Sequence, residues 1–565
     1  MSGLSRRGWL AGAAGLAGAA IVGCARRDEA AATARWVGAG HERGHRLREA
    51  KSGRLPAPAV TRRAGVLVVG AGIAGLTAAR GLVRAGIDDV QLFELEDTAG
   101  GNSRGHTMAG MGCPLGAHYL PLPGEHDTAL IELLEDLGLR RSVMGRPVYD
   151  ERHLCHSPQE RLFIDGTWHE GLLPPVEALP AAERERTLAQ YRRFAEAVDR
   201  AAQGGAFRMP TAHAAWTPAL AALDAIPFAQ WLGREGFDAP ALRWYLDYCC
   251  RDDYGAGAAQ VSAWAGIHYF ASRHGFHAPG SGEAEREGVL TWPEGNGWLA
   301  ERLAAPHRER LHMGCVAMRV EERRDEVVLD LWNEREQRVE RWSAPQLVLA
   351  LPLFVALRLF ESPPPALPAA VAAMRQAPWL VANLQCDRPP LDRGGAPPSW
   401  DNVLYGSAAL GYVDAMHQSL RAHPGPTVYS AYWALGGNDE AQLRDARQRL
   451  LGESAPVWAE RVIADLAQAH PDLPQRVTQI DLMRYGHAMS IPVPGLRGHA
   501  ALQALQAPPR GARVHFAHAD LSAYSVFEEA FFQGTRAAAQ TLSAMAAARK
   551  QVLASAMPIS GVRNQ

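Results

Sequence analysis

Runs of hydrophobic residues alternate along the chain with helical patterns, and the most regular run begins at residue 66. The four aliphatic residues Val66–Val69 predict a fully buried strand. The following segment, which ends at Gly86, has the apolar spacing of a helix, and the next run, VQLFE, predicts a second strand. This order of strand, helix and strand is typical of a sheet that is covered by helices.

The turn between the first strand and the helix has the glycine spacing of a dinucleotide-binding motif. The first glycine is expected to make the tight turn, the second to let the backbone approach a pyrophosphate, and the third to let the helix pack on the strand. The helix N-terminus then offers unpaired N–H groups to the phosphates. An acid at the end of the second strand is placed to accept hydrogen bonds from an adenosine ribose, which favours FAD or NAD over NADP. The residues expected at the dinucleotide are Gly70, Gly72, Ile73, Ala74, Gly75 and Glu94.

The pattern changes several times after this unit. From His126 to Val289 helical patterns dominate. A β-rich stretch covers residues 313–333, and the apolar run at 347–351 predicts another buried strand. From Val355 to Leu502 candidate strands alternate with charged helices, which fits a substrate domain that contains a sheet. The strand and helix at 513–542 predict a return to the cofactor domain.

Composition narrows the class of protein. The chain has 565 residues, enough for a cofactor domain and a substrate domain, and 47% of them are hydrophobic, so it can bury a large core. The net charge of −2 and the pI near 6.9 give no electrostatic footprint for nucleic acid. The cysteines form no CxxC pair and no cluster with zinc spacing, so no metal site is expected.

The first residues resemble a twin-arginine export signal joined to a lipoprotein cleavage box. Arg6 and Arg7 precede an Ala/Gly-rich apolar run, and Ile21–Gly23 leads to Cys24, which would become the lipidated first residue. The run is shorter than the roughly 20 residues that span a bilayer. We therefore expect a periplasmic lipoprotein, anchored to the membrane through Cys24 and exported by the twin-arginine machinery already folded around its cofactor. The alternative is a chance arginine pair before an Ala-rich tail.

Further segments resemble the flavin-containing amine oxidase superfamily, which includes protoporphyrinogen oxidases and phytoene-type desaturases. In that superfamily an acid, a Gly-Gly pair and a D-x-G-A/G segment follow the first nucleotide unit and surround FAD. The matching residues here are Glu94, Gly100, Gly101, Gly116 and Ala117. Two residues depart from the pattern, because Asn102 stands where arginine is common and Pro114 where aspartate is common. Backbone contacts survive both changes, so the resemblance implies FAD.

The resemblance also implies contacts with the other parts of FAD. The adenine is expected against the backbone of Val316, or Ala317 if the register slips by one residue. Asp520 is expected at the ribityl or pyrophosphate portion, and a helix that begins near Ser525 is expected over the flavin. The residues expected at the cofactor beyond the first unit are Gly100, Gly101, Asn102, Gly116, Ala117, His118, Tyr119, Val316, Asp520, Ser525, Val526 and Phe527.

Together these features predict an α/β protein in which a Rossmann-type FAD-binding domain, built from discontinuous segments, carries an inserted α+β substrate domain. Residues 25–63 lack a clear apolar period and are expected to be a tether. The expected divisions are 1–24 for the signal, 25–63 for the tether, 64–125, 290–354 and 503–548 for the FAD-binding domain, 126–289 and 355–502 for the substrate domain, and 549–565 for a tail.

The substrate side departs from a simple amine oxidase. Such enzymes commonly place a lysine, through water, at the hydride-accepting nitrogen of the flavin and hold the amine between two aromatic rings. This chain has no lysine between Lys51 and Lys550, and Val526 stands at one cage position. Asp252 and Asp253 are expected to be a helix cap or a solvated pair rather than a general base.

His487 is the leading catalytic candidate, because its segment lies against the flavin in the superfamily and histidine titrates near neutral pH. It would orient a substrate or accept a proton. The alternative is that it hydrogen-bonds the backbone and shapes the pocket. Tyr485 is a second catalytic candidate, and His118 and Tyr119 flank segments that should line the flavin ring.

Three functions remain open. The first is hydride transfer from a C–N or C–C bond of a small or medium substrate to FAD, with reoxidation by oxygen or a quinone. The second is a desaturase-like or protoporphyrinogen-oxidase-like reaction on a large apolar substrate, which the missing lysine and Val526 favour. The third is a membrane-anchored flavoprotein without catalytic activity.

Overall fold

The computed structural model describes residues 32–38, 40–48, 55–279 and 288–556. Cys24 and the predicted signal lie outside the described residues. The strands are β1 (Thr33–Trp36), β2 (Val60–Arg63), β3 (Val66–Val69), β4 (Val90–Glu94), β5 (Gly105–Met108), β6 (Met111–Pro114), β7 (Tyr119–Pro121), β8 (Arg140–Val143), β9 (Arg146–Tyr149), β10 (Glu160–Ile164), β11 (Thr167–Glu170), β12 (Val289–Thr291), β13 (Leu311–Met313), β14 (Cys315–Glu322), β15 (Val327–Asn333), β16 (Arg338–Ala344), β17 (Gln346–Leu349), β18 (Gln376–Cys386), β19 (Asp401–Leu404), β20 (Tyr412–Asp414), β21 (Thr427–Ala434), β22 (Val477–Ser490) and β23 (Val514–Phe516). The helices are α1 (His41–His45), α2 (Ile73–Arg84), α3 (Thr128–Asp136), α4 (Ala181–Ala202), α5 (Pro218–Asp224), α6 (Phe228–Arg234), α7 (Pro240–Tyr254), α8 (Ala263–Tyr269), α9 (Gly297–Ala304), α10 (Leu353–Ala356), α11 (Ala366–Ala373), α12 (Glu440–Gly452), α13 (Ala455–Leu466), α14 (Leu473–Arg476), α15 (Ala500–Gln506) and α16 (Phe527–Ala556).

A five-stranded parallel sheet carries the glycine-rich turn. Its strand order is β13, β4, β3, β17, β23, and every neighbouring pair is parallel. The central strand β3 is buried along its whole length, as its four aliphatic residues predict. Helix α2 follows the glycine-rich turn and ends at Arg84, two residues before the predicted end. Helix α16 packs on α2 with a close approach at Gly534, where an added Cβ would lie 2.3 Å from the carbonyl oxygen of Ala74.

The substrate side is built on an eight-stranded sheet. Its strand order is β1, β22, β18, β21, β20, β19, β10, β11. Helices α4 to α8 share a hydrophobic core with one face, in which Phe194 and Tyr254 pack with residues such as Val381. Helices α12 and α13 share another core with the sheet, in which Trp458 packs with residues such as Leu380. The segment 126–289, where helical patterns predict an inserted helical domain, also contains β8 to β11.

The prediction that residues 25–63 form a tether is wrong for those residues of the range that the structure describes. Strand β1 pairs in parallel with β22, and Arg35 donates two hydrogen bonds to the buried carboxylate of Asp481, at 2.8 and 3.0 Å. Strand β2 pairs in parallel with β16 in a four-stranded sheet of order β14, β15, β16, β2. These short strands lack a regular apolar pattern because they add to sheet edges, where backbone pairing and an ion pair hold them.

The predicted boundaries at 354/355 and 502/503 do not separate two cores. Helices α10, α11 and α15 contribute Leu353, Leu367 and Leu502 to one core with Leu67 and Val69 of the parallel sheet's central strand. The predicted boundary lies where the strand pattern stops after residue 354. The apolar helices that follow nevertheless return to cover the parallel sheet, so they belong to its core. Across the described helices, the structure contains none that is long and apolar enough to cross a membrane.

Candidate active site

The glycine-rich turn is held by contacts that leave no room for side chains. Gly70 has φ +96°, and a Cβ added to it would lie 2.3 Å from the carbonyl oxygen of Ala350. A Cβ on Gly75 would lie 1.8 Å from the carbonyl oxygen of Gly70. A Cβ added to Gly72 would make only an ordinary contact, 3.8 Å from the Cα of Gly101. The turn therefore presents bare backbone at the N-terminus of α2, where Ile73 and Ala74 form the first turn.

A second glycine pair lies directly against the first. Gly100 and Gly101 have φ +121° and +57°, and Gly100 forms a parallel bridge with Gly72. A Cβ on Gly101 would lie 3.2 Å from the Cα of Gly72. The two turns thus form one continuous backbone surface that is free of side chains.

Glu94 lies at the end of β4 beside this surface and is 7% exposed. Its carboxylate accepts hydrogen bonds from the backbone N–H groups of Ala71, at 2.7 Å, and Glu96, at 2.9 Å. Burial raises its pKa, and the two N–H donors and Arg104 oppose that rise. The carboxylate is fixed next to the first turn by these bonds.

Asp520 lies near the C-terminal ends of β17 and β23, in a short turn before α16, and is 1% exposed. It accepts hydrogen bonds from the backbone N–H of Leu353, at 2.9 Å, and from Nε2 of Gln376, at 3.2 Å. Burial alone would raise its pKa, but His518, 3.3 Å away, and these donors lower it below the usual value. Val316 lies elsewhere, buried on β14 opposite Trp332.

A cavity of about 130 Å³ lies between the cofactor-side segments and the eight-stranded sheet. Eight of its lining residues are ones that the sequence predicts at the flavin: Asn102, Gly116, Ala117, His118, Tyr119, Ser525, Val526 and Phe527. The other lining residues are Asp252, Asp253, Arg273, Asn296, Trp379, Val381, Tyr432, Tyr485, Ala488, Met489 and Glu528. These residues lie far apart in the sequence, from Asn102 to Glu528, and the fold brings them together around one cavity.

Hydrogen bonds fix the cofactor-side wall of the cavity. Asn102 donates from Nδ2 to the carbonyl oxygen of Ala488, at 2.7 Å, and its own carbonyl accepts from the N–H of Ala117, at 2.9 Å. Ser525 accepts at Oγ from the N–H of Ser490, at 3.2 Å, and α16 begins at Phe527, two residues later than predicted. This wall is therefore tied to β22 at two points.

Aromatic rings form much of the remaining wall. His118 stacks on Tyr432 with ring centroids 4.5 Å apart, and Tyr119 meets His118 edge-on at 5.1 Å. Burial lowers the pKa of His118 to about 3, so its ring is neutral at physiological pH. Tyr432 donates its hydroxyl to the carbonyl oxygen of Gly116 at 3.2 Å.

The two predicted catalytic residues lie in different places. Tyr485 lines the cavity and donates its hydroxyl to the carbonyl oxygen of Leu115 at 2.7 Å. His487 is exposed, lies outside the cavity lining and packs against the ring of Phe354 at 4.6 Å. Desolvation by the surrounding protein, with the positive charge of Arg447 next in effect, lowers the pKa of His487 to about 4, although the side chain keeps contact with solvent. His487 therefore lies apart from the described cavity lining, and its catalytic role stays a prediction.

A buried ion network closes one side of the cavity. Arg273 contacts both carboxylate oxygens of Asp253, at 2.9 and 3.1 Å, and its Nε lies 3.3 Å from Oε1 of Glu528. All three side chains are more than nine-tenths buried. Asp252 is the neighbour of this network and lines the cavity. The expectation of a solvated or capping Asp252–Asp253 pair is wrong, because α7 ends against the cavity and turns both carboxylates inward.

The sequence reasoning missed Arg273, Asn296, Trp379 and Tyr432 as cavity residues. Arg273 and Glu528 are 255 positions apart in the chain, and no local pattern indicates that they form an ion pair. The aromatic spacing around Trp264 was visible in the sequence, but that ring packs in a hydrophobic core outside the cavity lining. The six cysteines of the described chain are free, and no group of metal-ligating side chains occurs there.

The backbone surface of the two glycine turns fits a dinucleotide, and the neighbouring cavity fits a flavin ring. The two glycine turns form a cradle that side chains would fill, and a buried acid stands beside it. Asn296 lines the cavity, is 1% exposed and has no hydrogen-bond partner at Oδ1 within the described residues, while its Nδ2 donates to Tyr119 O at 2.9 Å. A buried acceptor of this kind is normally satisfied by a ligand or water.

Comparison with known proteins defines the class. The model of the flavin-containing amine oxidoreductase family matches residues 73–542, so the chain belongs to this family. It is an FAD-dependent oxidoreductase of the amine oxidase type.

Individual relatives match shorter segments. The chain is 33% identical to putrescine oxidase of Kocuria rosea over 181 residues, which is 31% of this chain and 32% of the relative. It is 40% identical to tryptophan 2-monooxygenase of Allorhizobium ampelinum over 85 residues, which is 14% of this chain and 11% of the relative. The aligned segments therefore span at most about a third of these relatives. The fold is similar to that of wild-type putrescine oxidase bound to putrescine, with a TM-score of 0.60 and 19% identity over 86% of this chain and 100% of the other.

Proposed function

We propose that the protein oxidises a C–N bond of a small or medium amine, with hydride transfer to FAD and reoxidation by oxygen or a quinone. The observation that supports this most strongly is a cavity in which the residues predicted at the flavin meet a wall of aromatic rings and carboxylates. Ring faces and carboxylates are the groups that recognise a cationic amine.

The residues proposed to hold FAD are those predicted from the sequence. The cradle of Gly70, Gly72, Gly75, Gly100 and Gly101 leaves space for the pyrophosphate at the N-terminus of α2. Glu94 is placed for the ribose and Asp520 for the ribityl or pyrophosphate portion, and Val316 is retained as the adenine contact. When bound, FAD supplies the acceptor for one hydride, that is, for two electrons and one proton. The chain's own part is to position the substrate and exclude water.

The polar groups of the cavity wall favour an amine over a large apolar substrate. Asp252, Asp253 and Glu528 lie in this wall beside the aromatic rings. The alternative desaturase-like or protoporphyrinogen-oxidase-like function is favoured by Val526 at a cage position and by the absence of lysine between Lys51 and Lys550.

Tyr485 and His487 are proposed to shape the site. The hydroxyl of Tyr485 is committed to the Leu115 carbonyl oxygen, which fixes its ring in the cavity wall. The contact of His487 with Phe354 favours its packing alternative over proton transfer. Both residues lie on β22, whose backbone is bonded to the cofactor-side wall.

Anaerobic titration of the purified flavoprotein tests the proposal. Small amines, amino acids and porphyrinogens would be added in turn, and bleaching of the flavin absorption would be recorded. Reduction by amines alone is expected. Reduction by porphyrinogens and not by amines would support the alternative function. Reoxidation by oxygen or by a soluble quinone, followed in the same cell, identifies the acceptor.

We also propose that the protein is a periplasmic lipoprotein exported by the twin-arginine route. Only eight residues, 25–32, separate Cys24 from β1, so a lipid on Cys24 would hold the folded body within about 30 Å of the membrane. Replacing Arg6 and Arg7 by lysine should retain the protein in the cytoplasm. Cys24→Ala should release it from the membrane fraction. Normal export of the double lysine variant would contradict the twin-arginine route.

A further inference from the structure

Asp252 is the cavity carboxylate that the protein itself leaves without a partner. It lies in the last turn of α7, which ends at Gly255 in the left-handed conformation, and it lines the cavity. Neither of its oxygens makes a hydrogen bond or ion pair with any residue of the described chain. A carboxylate at a helix C-terminus meets the partial negative charge of that end, so this position disfavours its ionised form.

The two arginines near Asp252 form ion pairs with other carboxylates. Arg273 is shared between Asp253 and Glu528, and these three groups together carry one net negative charge when ionised. Arg251, on the same helix, lies 3.3 Å from a carboxylate oxygen of Asp247.

Further acids act on Asp252 from the neighbouring strands. Glu160 on β10 raises the pKa of Asp252, and Asp252 raises the pKa of Asp401 on β19, because neighbouring negative charges disfavour ionisation. Arg273 and Arg251 oppose the effect of these acids on the pKa of Asp252, but each arginine forms its ion pair with another carboxylate. A ligand with a positive charge would supply the partner that Asp252 lacks.

We propose that Asp252 recognises the ammonium group of the substrate and accepts its proton before oxidation. This inference rests on the proposed function and adds to it the group that selects a cationic amine. In the step, one N–H bond of the ammonium breaks and an O–H bond forms on the carboxylate. The electron pair of that N–H bond stays on nitrogen as the lone pair of the neutral amine. No atom changes its oxidation state, and no further reactant is needed.

The surroundings of Asp252 suit both parts of this role. The rings of Tyr119, Trp379 and Tyr432 line the same cavity and can stabilise a cation by contact with their faces. Burial, with Asp253 next in effect, raises the pKa of Asp252 to about 7, close to the value that suits a proton acceptor at neutral pH.

Asp252→Asn tests the proposal, because asparagine keeps the shape and cannot take up the charge. The value of kcat/KM for the best amine should fall about 100- to 10,000-fold. In the parent enzyme kcat/KM should rise with pH through about 7, and this limb should be absent in the variant. Asp199→Asn is the matched control, since Asp199 is exposed on α4, and it should behave as the parent. An unchanged kcat/KM and pH profile in Asp252→Asn would overturn the proposal.

Binding of tetramethylammonium separates recognition from proton transfer, because this cation has no proton to give. It would be measured by the change in flavin absorption, which needs no turnover. Binding at least about tenfold weaker in Asp252→Asn supports recognition, and equal binding overturns that part. Asp252→Glu should keep the limb near neutral pH if the carboxylate itself is required. If no amine reduces the parent enzyme, the proposed function fails, whereas the tetramethylammonium measurement still decides whether Asp252 binds a cation.

Discussion

Asp252→Asn should make the protein more stable, and the gain should grow with pH. In the folded protein the carboxyl holds its proton up to about pH 7, whereas in the unfolded chain it loses the proton near its usual value of 3.8. Unfolding therefore releases a proton between these values, and the free energy of unfolding falls as the pH rises. Asparagine has no proton to lose, so the variant escapes this cost.

The expected size follows from the shift in pKa. A difference of about three pKa units corresponds to about 4 kcal/mol at pH above 7, as an upper bound. About 1.7 kcal/mol of this is already present at pH 5, so the advantage of the variant should grow by about 2.5 kcal/mol between pH 5 and pH 8. For a chain of 565 residues the unfolding entropy is about 1.2 kcal/mol per kelvin, so the difference in Tm should grow by about 2 °C.

Differential scanning fluorimetry of both flavoproteins at pH 5 and pH 8, without any amine, measures this difference. Asp199→Asn is again the control, because an exposed carboxylate should leave the Tm difference independent of pH. A Tm difference for Asp252→Asn that is the same at both pH values would refute the reasoning, since Asp252 would then be ionised in both states. A variant that is less stable than the parent at pH 8 would show that the carboxylate has a protein partner.

Three further changes test other parts of the structure. Gly75→Ala should abolish flavin retention, measured as the ratio of absorption at 450 and 280 nm, because its Cβ would lie 1.8 Å from a backbone oxygen. Gly452→Ala is the control for loss of a glycine, since no atom lies within 4 Å of the added Cβ. Arg273→Gln should lower the free energy of unfolding by about 3–5 kcal/mol, because two buried carboxylates lose their cation, whereas Arg200→Gln, in an exposed ion pair, should change it by less than about 1 kcal/mol. His487→Ala should leave the rate of flavin reduction within about threefold of the parent, and a decrease of more than about tenfold would restore it as a proton-transferring residue.

The parts of the fold that could be predicted are those in which one short segment carries its own physical reason. Four aliphatic residues at 66–69 have to be buried, and the spacing of Gly70 and Gly75 is imposed by backbone contacts that exclude a Cβ. Strand β1 could not be predicted in this way. Its sequence, TARW, has no apolar period, and its place depends on the free edge of β22 and on Asp481, more than 440 positions away.

The candidate site also has one part that could be predicted from the sequence and one part that could not. Eight residues that line one wall of the cavity could be named from the sequence, because their segments carry spacings that resemble a known family. The opposite wall depends on where α7 ends, and that end is fixed by tertiary contacts. Helical periodicity gives both Asp252 and Asp253 a place near the helix end, but it cannot show that Arg273 pairs with one and leaves the other to the cavity.

Among the described lining residues, Asp252 is the carboxylate without a cation partner, and its pKa of about 7 lets it change its charge near neutral pH. His118 is neutral, since its pKa is about 3, and burial raises the pKa values of Tyr119, Tyr432 and Tyr485. Burial also raises the pKa values of the other two carboxylates of the wall, Asp253 and Glu528, and the cation of Arg273, which they share, opposes that rise. The chain also has no lysine between positions 51 and 550 that could act there through water. A single ionisation near pH 7 in the kcat/KM profile is therefore expected, and two ionisations in that region would mean that a second group of the wall titrates.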